Sequence, residues 1–181
     1  MTTDIHHSGI VGLSPISVGE HHARAIQQFD TLAKALRSTL ADLTIDIQHI
    51  GGTAIANLTG RPTIDVLLIV RDLYGFDQRS SSLAALGYLS RGDGDYAGQR
   101  RFKLGQGYNC EAELYVYEAG DRAALHHLLL RDYLRSNTQE RARFAELKKR
   151  LAERHPTNTT AYIAGKRPRL QRLLEQATGR R

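Results

Sequence analysis

The run Thr63-Ile-Asp-Val-Leu-Leu-Ile-Val70 constrains this chain more than any other segment. Its β-branched, almost wholly apolar composition suits a central strand that is covered on both faces, and therefore a sheet with helices packed against it. The one charge in the run is Asp65. An isolated carboxylate in such a strand costs several kcal/mol to bury unless it lies at the strand end, is paired, or binds a cation. Asp65 therefore needs a partner.

The flanking segments supply the rest of a scaffold. Apolar positions Ala25, Ile26, Phe29, Leu32, Ala33, Leu36 and Leu40 recur at helical spacing, predicting a long amphipathic helix from Ser17 to about Leu43. Residues 44–50 alternate as a half-buried strand, with Ile45, Ile47 and His49 on one side and Asp46, Gln48 and Ile50 on the other. A turn-rich break separates this strand from the apolar one. Leu73 to Leu86 reads as a helix ended by Gly87, and Arg91–Gly98 as a turn. Strands near Arg100–Leu104 and Cys110–Tyr117 form an expected hairpin. From Asp121 onward three helices are expected, beginning at Asp121 and Thr138, with Pro168 starting or kinking the last. This order predicts an α/β (α+β) fold, a mixed sheet with flanking helices and a C-terminal helical part.

A length of 181 residues fits one domain over 1–181, divided into a core of about 17–120 and a helical flank of about 121–181. No stretch of about 18 apolar residues offers a membrane span. The start MTTDIHHSG lacks a basic and then apolar leader, and the lone Cys110 has no internal disulfide partner, so a reducing cytoplasm is the expected location. One cysteine also excludes zinc sites that need two. The net charge of +6 is uneven: residues 1–120 carry 10 basic and 13 acidic side chains, residues 121–181 carry 15 and 6. The basic flank can attract phosphates, nucleic acid or an acidic partner, or simply keep helices solvated. Base stacking has little behind it there, with only Tyr133, Phe144 and Tyr162 as aromatic residues.

The chemistry concentrates at His49-Ile-Gly-Gly-Thr-Ala-Ile, where a strand stops. Glycines at that point let backbone amides approach an anion without a Cβ in the way. The paired histidines 6–7, 21–22 and 126–127 diverge and clamp no metal by themselves, and His49 reads as a structural histidine. Arg100 and Arg101 alternate faces, so at most one enters a given cleft. Arg131 and Arg135 share a helix face and repel unless an anion or carboxylate lies between them. Lys166, one turn after Tyr162, can reach a phosphate or serve as a packing stem.

The apolar-Gly-Gly turn followed by an acid in a buried strand resembles the signature of the nucleotidyltransferase fold. Within that superfamily the sequence is similar to the GrpB family, whose domain also extends some bacterial dephospho-CoA kinases. The resemblance rests on residues 49–55, Leu58, residues 61–66, residues 86–88, residues 100–102, the run Arg131-Asp-Tyr-Leu-Arg135, Leu147-Lys148, Leu151-Ala152, Tyr162 and Lys166, and spans about 17–175. It implies a nucleotidyltransferase-like mixed sheet and a phosphate-holding turn at Gly51, Gly52 and Thr53. Arg101, Arg131 and Lys166 would neutralise charge, and Asp65 with Glu113 would serve as catalytic and Mg2+-binding carboxylates. The chain departs from the pattern in several places. Gly51-Gly52 stands for Gly-Ser, Ala56 and Asn57 for Pro-Gly, and Arg61 for Lys. Glu113-Leu114-Tyr115 replaces His-Leu-His. Most consequential, the second carboxylate of the metal pair is Leu67. The expected ligand is a nucleotide or phosphorylated small molecule held at the turn, with incomplete catalytic carboxylates. An active Mg2+-dependent transferase and a noncatalytic protein- or nucleic-acid-interaction domain are the alternatives.

Overall fold

The computed structural model describes residue 16 and residues 18–93, 98–105 and 110–179. The elements are α1 (His22–Leu40), β1 (Thr44–Ile50), β2 (Ile64–Val70), α2 (Leu73–Arg79), β3 (Tyr88–Asp93), β4 (Arg100–Leu104), β5 (Ala112–Glu118), α3 (Arg122–Ser136), α4 (Thr138–Arg154) and α5 (Thr159–Ala177). The five strands form one mixed sheet in the order β1-β2-β5-β4-β3. β2 and β5 run parallel, and the other neighbours are antiparallel.

β2 lies between β1 and β5, as its apolar run requires. Val66, Leu68 and Val70 on one face pack with Leu114 and Val116 of β5 and with Leu36, Leu40 and Phe76 from α1 and α2. Leu67 on the other face packs with Ile50, Tyr117 and Ala124 under α3. A third cluster joins Ile55 and Leu58, just beyond the glycine turn, to Leu134, Phe144 and Leu173 of α3, α4 and α5. The helical flank therefore encloses the turn. Helices α2 to α5 begin at Asp72, Asp121, Asn137 and Asn158, whose side chains accept the exposed amides of Gly75, Ala123, Glu140 and Ala161.

Several boundaries differ from the sequence reading for local reasons. The first helix starts at His22 and ends at Leu40, with a 3-10 turn over Ala41–Leu43. Residues expected as one helix from 73 to 86 are one α-helix to Arg79 and a 3-10 segment over Ser80–Leu86, closed by Gly87 at φ +84°. Ile45 is 50% exposed, away from Ile47, because the pairing with β2 shifts by one residue between Thr44 and Asp46 and makes a bulge. The glycine-rich signal at 91–93 belongs to β3, where Gly92 at φ +75° accommodates a shift in pairing with β4. Residues 94–97 of that expected turn lie outside the described residues. Pro168 is inside α5 and does not open it.

α4 and α5 are joined by a buried ion pair. Glu140 is 6% exposed, accepts from Arg143 at 2.9 Å, and pairs with Arg169 of α5. Truncation to Ala would leave Arg169 without its carboxylate inside the helix contact. Glu140→Ala is expected to cost about 2 kcal/mol, read as a lower denaturation midpoint.

Candidate functional site

The site begins where β1 ends. Gly51 adopts φ +70°, and a Cβ placed on it would stand 2.0 Å from Asp65 Oδ2. A Cβ on Gly52 would stand 2.7 Å from Lys148 Nζ, and one on Gly60 would stand 3.0 Å from the same nitrogen. Gly51 is thus required by its positive φ and its close approach to an acid, whereas the neighbour of Gly52 is the movable end of a basic side chain.

The turn is braced from outside. His49 stacks on Phe29 with ring centroids 4.8 Å apart, and its Nε2 lies 3.0 Å from Thr53 Oγ1. The Thr53 hydroxyl donates to the Thr63 carbonyl at 3.1 Å, so His49 Nε2 must be the donor in the histidine contact. Burial, with nearby His22, Arg135 and Arg131, lowers the His49 pKa to about 4 and keeps the ring neutral. His49 is the structural histidine expected. The Thr53 hydroxyl, expected to hold phosphate, is instead buried and engaged on both sides. Arg131 donates to the Gln48 side chain at 2.9 Å and the His49 carbonyl at 3.1 Å, and pairs with Asp132. Arg135 donates twice to the Ala54 carbonyl, at 2.8 and 3.1 Å. Asp132 lies between the two arginines and relieves their repulsion. The structure thus places Arg131 as a brace on the turn, where its guanidinium is already occupied.

The two predicted carboxylates do come together. Asp65 and Glu113 are register partners across the parallel β2–β5 pair. Leu114 is fully buried on the opposite face, so Glu113 emerges beside Asp65. Arg101 of β4 donates to Glu113 at 2.8 Å, the Tyr115 hydroxyl donates to Glu113 at 2.9 Å, and that hydroxyl is 3.4 Å from Asp65 Oδ1. Glu111 precedes β5 and is exposed. Arg100 is turned elsewhere, onto Asp77 at 2.8 and 2.9 Å.

Cations surround this acid pair. Lys148 is only 5% exposed, with its ammonium 5.0 Å from the Phe144 ring. Lys166 Nζ stands 4.5 Å from the Tyr162 ring. Among the described residues neither ammonium has a hydrogen-bonded or ion-paired acceptor. Burial and the neighbouring Glu113 raise the Asp65 pKa to about 6, against the pull of Lys166, Arg61 and Lys148. Burial and the charge of Lys166 lower Lys148 to about 7, while burial and Arg61 lower Lys166 to about 8. Burial pushes Glu113 up, but the hydrogen bonds from Arg101 and Tyr115 outweigh it and hold the carboxyl below its ordinary range. Arg101 thus holds one of the two acids, and the charges of Lys166, Arg61 and Lys148 all act on the other.

Such a donor set does not fit a resident divalent ion. One carboxylate already receives a guanidinium and a phenol, the second-acid position is the buried Leu67, and cations outnumber the acids. Among the described residues no three His, Cys, Asp or Glu side chains converge. The same surplus suits an anion. Lys148, Arg61 and Tyr162 carried no role in the sequence reading. The signal for Lys148 was its position in the buried stripe Glu140, Phe144, Lys148, Ala152, spaced by four along α4.

Comparison with known proteins agrees with this architecture. The fold is shared with the Cid1 poly(U) polymerase in its MgGTP-bound structure, at TM-score 0.51 and 19% identity over 78% of this chain and 45% of that one. The class is a nucleotidyltransferase-like fold. The family model described as GrpB protein matches residues 15–176, and the chain belongs to the GrpB family. A crystal structure of the conserved protein GrpB from Enterococcus faecalis superposes at TM-score 0.84, with 28% identity over 89% of this chain and 96% of that one. The UPF0157 protein YqkA of Bacillus subtilis is 38% identical over 76% of this chain, which spans 40% of that relative's length. The UPF0157 protein BH1888 of Halalkalibacterium halodurans is 29% identical over 90% of this chain and 82% of its own. Among the described residues no helix is long and apolar enough to cross a membrane.

Two measurements test the geometry. Gly51→Ala combines positive φ with a collision against Asp65, and is expected to cost 2 kcal/mol or more, roughly. In an Asp65→Gly background the collision is gone, and the same substitution is expected to cost only about 1 kcal/mol; equal costs in both backgrounds would refute the contact. The second concerns Lys148, which loses its proton near pH 7 in the fold but keeps it to its ordinary 10.5 when unfolded. Between those limits the unfolded state binds more protons, so raising pH favours the fold. Stability is expected to rise from about pH 7 to about pH 10, with a smaller slope in Lys148→Met, where Lys166 still contributes.

Proposed function

We propose that this chain binds a phosphorylated ligand, a nucleotide or another phosphorylated small molecule, at the Gly51–Gly52 turn. The observation that carries the reading is Lys148: its side chain is buried, and its ammonium lies beside Gly52 and Gly60 with no acceptor in hydrogen-bond range among the described residues. A phosphate arriving at the turn would supply the missing acceptor and meet the surrounding Lys166 and Arg61. Arg101 would act on the ligand only through the Glu113 carboxylate it already holds. Arg131 contributes by fixing the turn.

Catalysis is a separate matter. Nucleotidyl transfer of the usual kind uses two divalent ions about 3.5–4 Å apart, bridged by carboxylates. Here the second carboxylate position is Leu67, which is fully buried among Ile50, Tyr117 and Ala124. We therefore favour a binding protein with a degenerate metal site over an active transferase. The transferase alternative draws on one observation, the adjacency of Asp65 and Glu113. The nucleic-acid alternative loses support because many basic side chains of the flank hold the molecule together: Arg131 and Arg135 brace the turn, Arg143 and Arg169 hold Glu140, and Arg141 donates to the Leu134 and Arg135 carbonyls.

A thermal-shift screen of nucleotides and coenzyme A precursors, each with and without Mg2+ or Mn2+, tests these readings. A ligand at a hundred times its Kd stabilises the fold by about 2.7 kcal/mol, and the shift is expected to change little on adding metal or in Asp65→Asn. No shift from any phosphorylated compound would sink the binding reading. Robust Mg2+-dependent turnover of a nucleoside triphosphate, abolished by Asp65→Asn, would establish the transferase instead.

A further inference from the structure

The ligand class can be narrowed by asking what shape of phosphate reaches the buried groups. Lys148 is about as inaccessible as a core residue, and Tyr162 is fully buried with a hydroxyl that has no partner. Both belong to the helical flank, on α4 and α5, and both lie in the field of Arg61. Lys166 ties them together, with its ammonium on the Tyr162 ring and its charge felt by Lys148. Opposite them stand the glycines at 52 and 60, which have no Cβ to hold Lys148 away from the backbone. The sealed Tyr162 hydroxyl costs free energy that a bound acceptor would return, and the Lys148 ammonium has no acceptor among the described residues.

We propose that Lys148 and Tyr162, flanked by Lys166 and Arg61, form a seat for a terminal phosphate monoester, and that this seat works without a divalent ion. This rests on the phosphate-binding reading of the turn and deepens it. A terminal phosphate offers three free oxygens, enough for the ammonium, the hydroxyl and a second cation at once. A phosphodiester has only two, is flanked by chain on both sides, and carries a single charge. Charge points the same way: Arg61, Arg101, Lys148 and Lys166 outnumber Asp65 and Glu113, and a phosphate dianion offsets more of that excess than a diester monoanion. The ammonium does for the phosphate what a metal ion would otherwise do, from a position over the Phe144 ring that the glycines leave open to the backbone.

The test is calorimetric titration of the full chain in EDTA with inorganic phosphate, AMP, glycerol 3-phosphate, and the dinucleoside monophosphate ApA as the diester. AMP and glycerol 3-phosphate separate a nucleotide from another phosphorylated metabolite as the source of the same group. At least one monoester is expected to bind about tenfold or more tightly than the diester, corresponding to the loss of a charge-assisted contact. Tyr162→Phe is expected to weaken the monoester by about fivefold, and Lys148→Met by about a hundredfold. Met matches the buried stem, and replacing a buried charge by an apolar isostere is tolerated, so Lys148→Met should keep the wild-type fold by circular dichroism. A variant that fails to fold hands the decision to Tyr162→Phe and to the monoester-to-diester ratio. Diester binding equal to monoester binding, or monoester binding unchanged in Lys148→Met, would overturn the seat while leaving a phosphorylated ligand at the turn. Binding of a monoester only when Mg2+ replaces EDTA would overturn the metal-free part. No binding of any phosphorylated compound, with or without Mg2+, would remove the seat and the underlying reading together.

Discussion

The contact on which the site depends is the one between Gly51 and Asp65. Backbone and carboxylate pass so closely that the space of a single Cβ is already filled by Asp65. Packing that tight fixes the turn relative to β2, and the next residue repeats the arrangement with Lys148 of α4. An acid from the sheet and a base from the helical flank therefore close on consecutive glycines. Each limits the freedom of the other: Lys148 holds the Asp65 pKa below what burial and Glu113 alone would give, and Asp65 holds that of Lys148 above what burial and Lys166 would give.

The helical flank supplies more than charge. Ile55 and Leu58 enter its apolar cluster, and Arg131 and Arg135 reach back to the carbonyls of His49 and Ala54. On the other side, His22 at the start of α1 meets the Thr53 carbonyl at 2.9 Å. Three carbonyls of one short turn are thus engaged by side chains from two helices. A turn held this way is pre-organised, which would lower the entropic cost of any binding there. The net positive charge of the C-terminal third accordingly has two uses, fastening the helices to the sheet and surrounding the acid pair.

Much of this was legible in the sequence. The apolar run at 64–70 required a central strand, the glycines after His49 marked the turn, and strand alternation put Glu113 opposite buried Leu114. The parts that were missed share a physical cause. β3 was hidden because its residues Ser90-Arg-Gly-Asp93 are polar and glycine-containing, and only pairing with β4 makes them a strand. Thr53 and Arg131 read from the sequence as open donors because residue type says what a side chain can bind, while their partners in the fold come from other segments of the chain. Lys148 was passed over for the opposite reason. Lysine is ordinarily a solvated residue, and its place in a buried helical stripe becomes informative only when Phe144 and Ala152 are seen to flank it.

Leu67 shows why the difference from an active transferase pattern is more than one substituted residue. It stands two positions beyond Asp65 on the same face of β2, where period-two geometry would put a second metal-binding carboxylate. Yet it is fully buried, packed with Ile50 and Tyr117 and covered by Ala124 of α3. A carboxylate there would be sealed beneath a helix, with no water to solvate it and only apolar neighbours in that cluster. Next to it on β5 is Tyr115, whose hydroxyl goes to Glu113 and toward Asp65. Around the leucine the cleft therefore has an apolar wall on one side, a phenol between the two remaining acids, and the Arg101 guanidinium on one of them. Restoring an acid at position 67 alone would bury it against Ile50, Tyr117 and Ala124, so the departure from the transferase pattern extends to the residues around it.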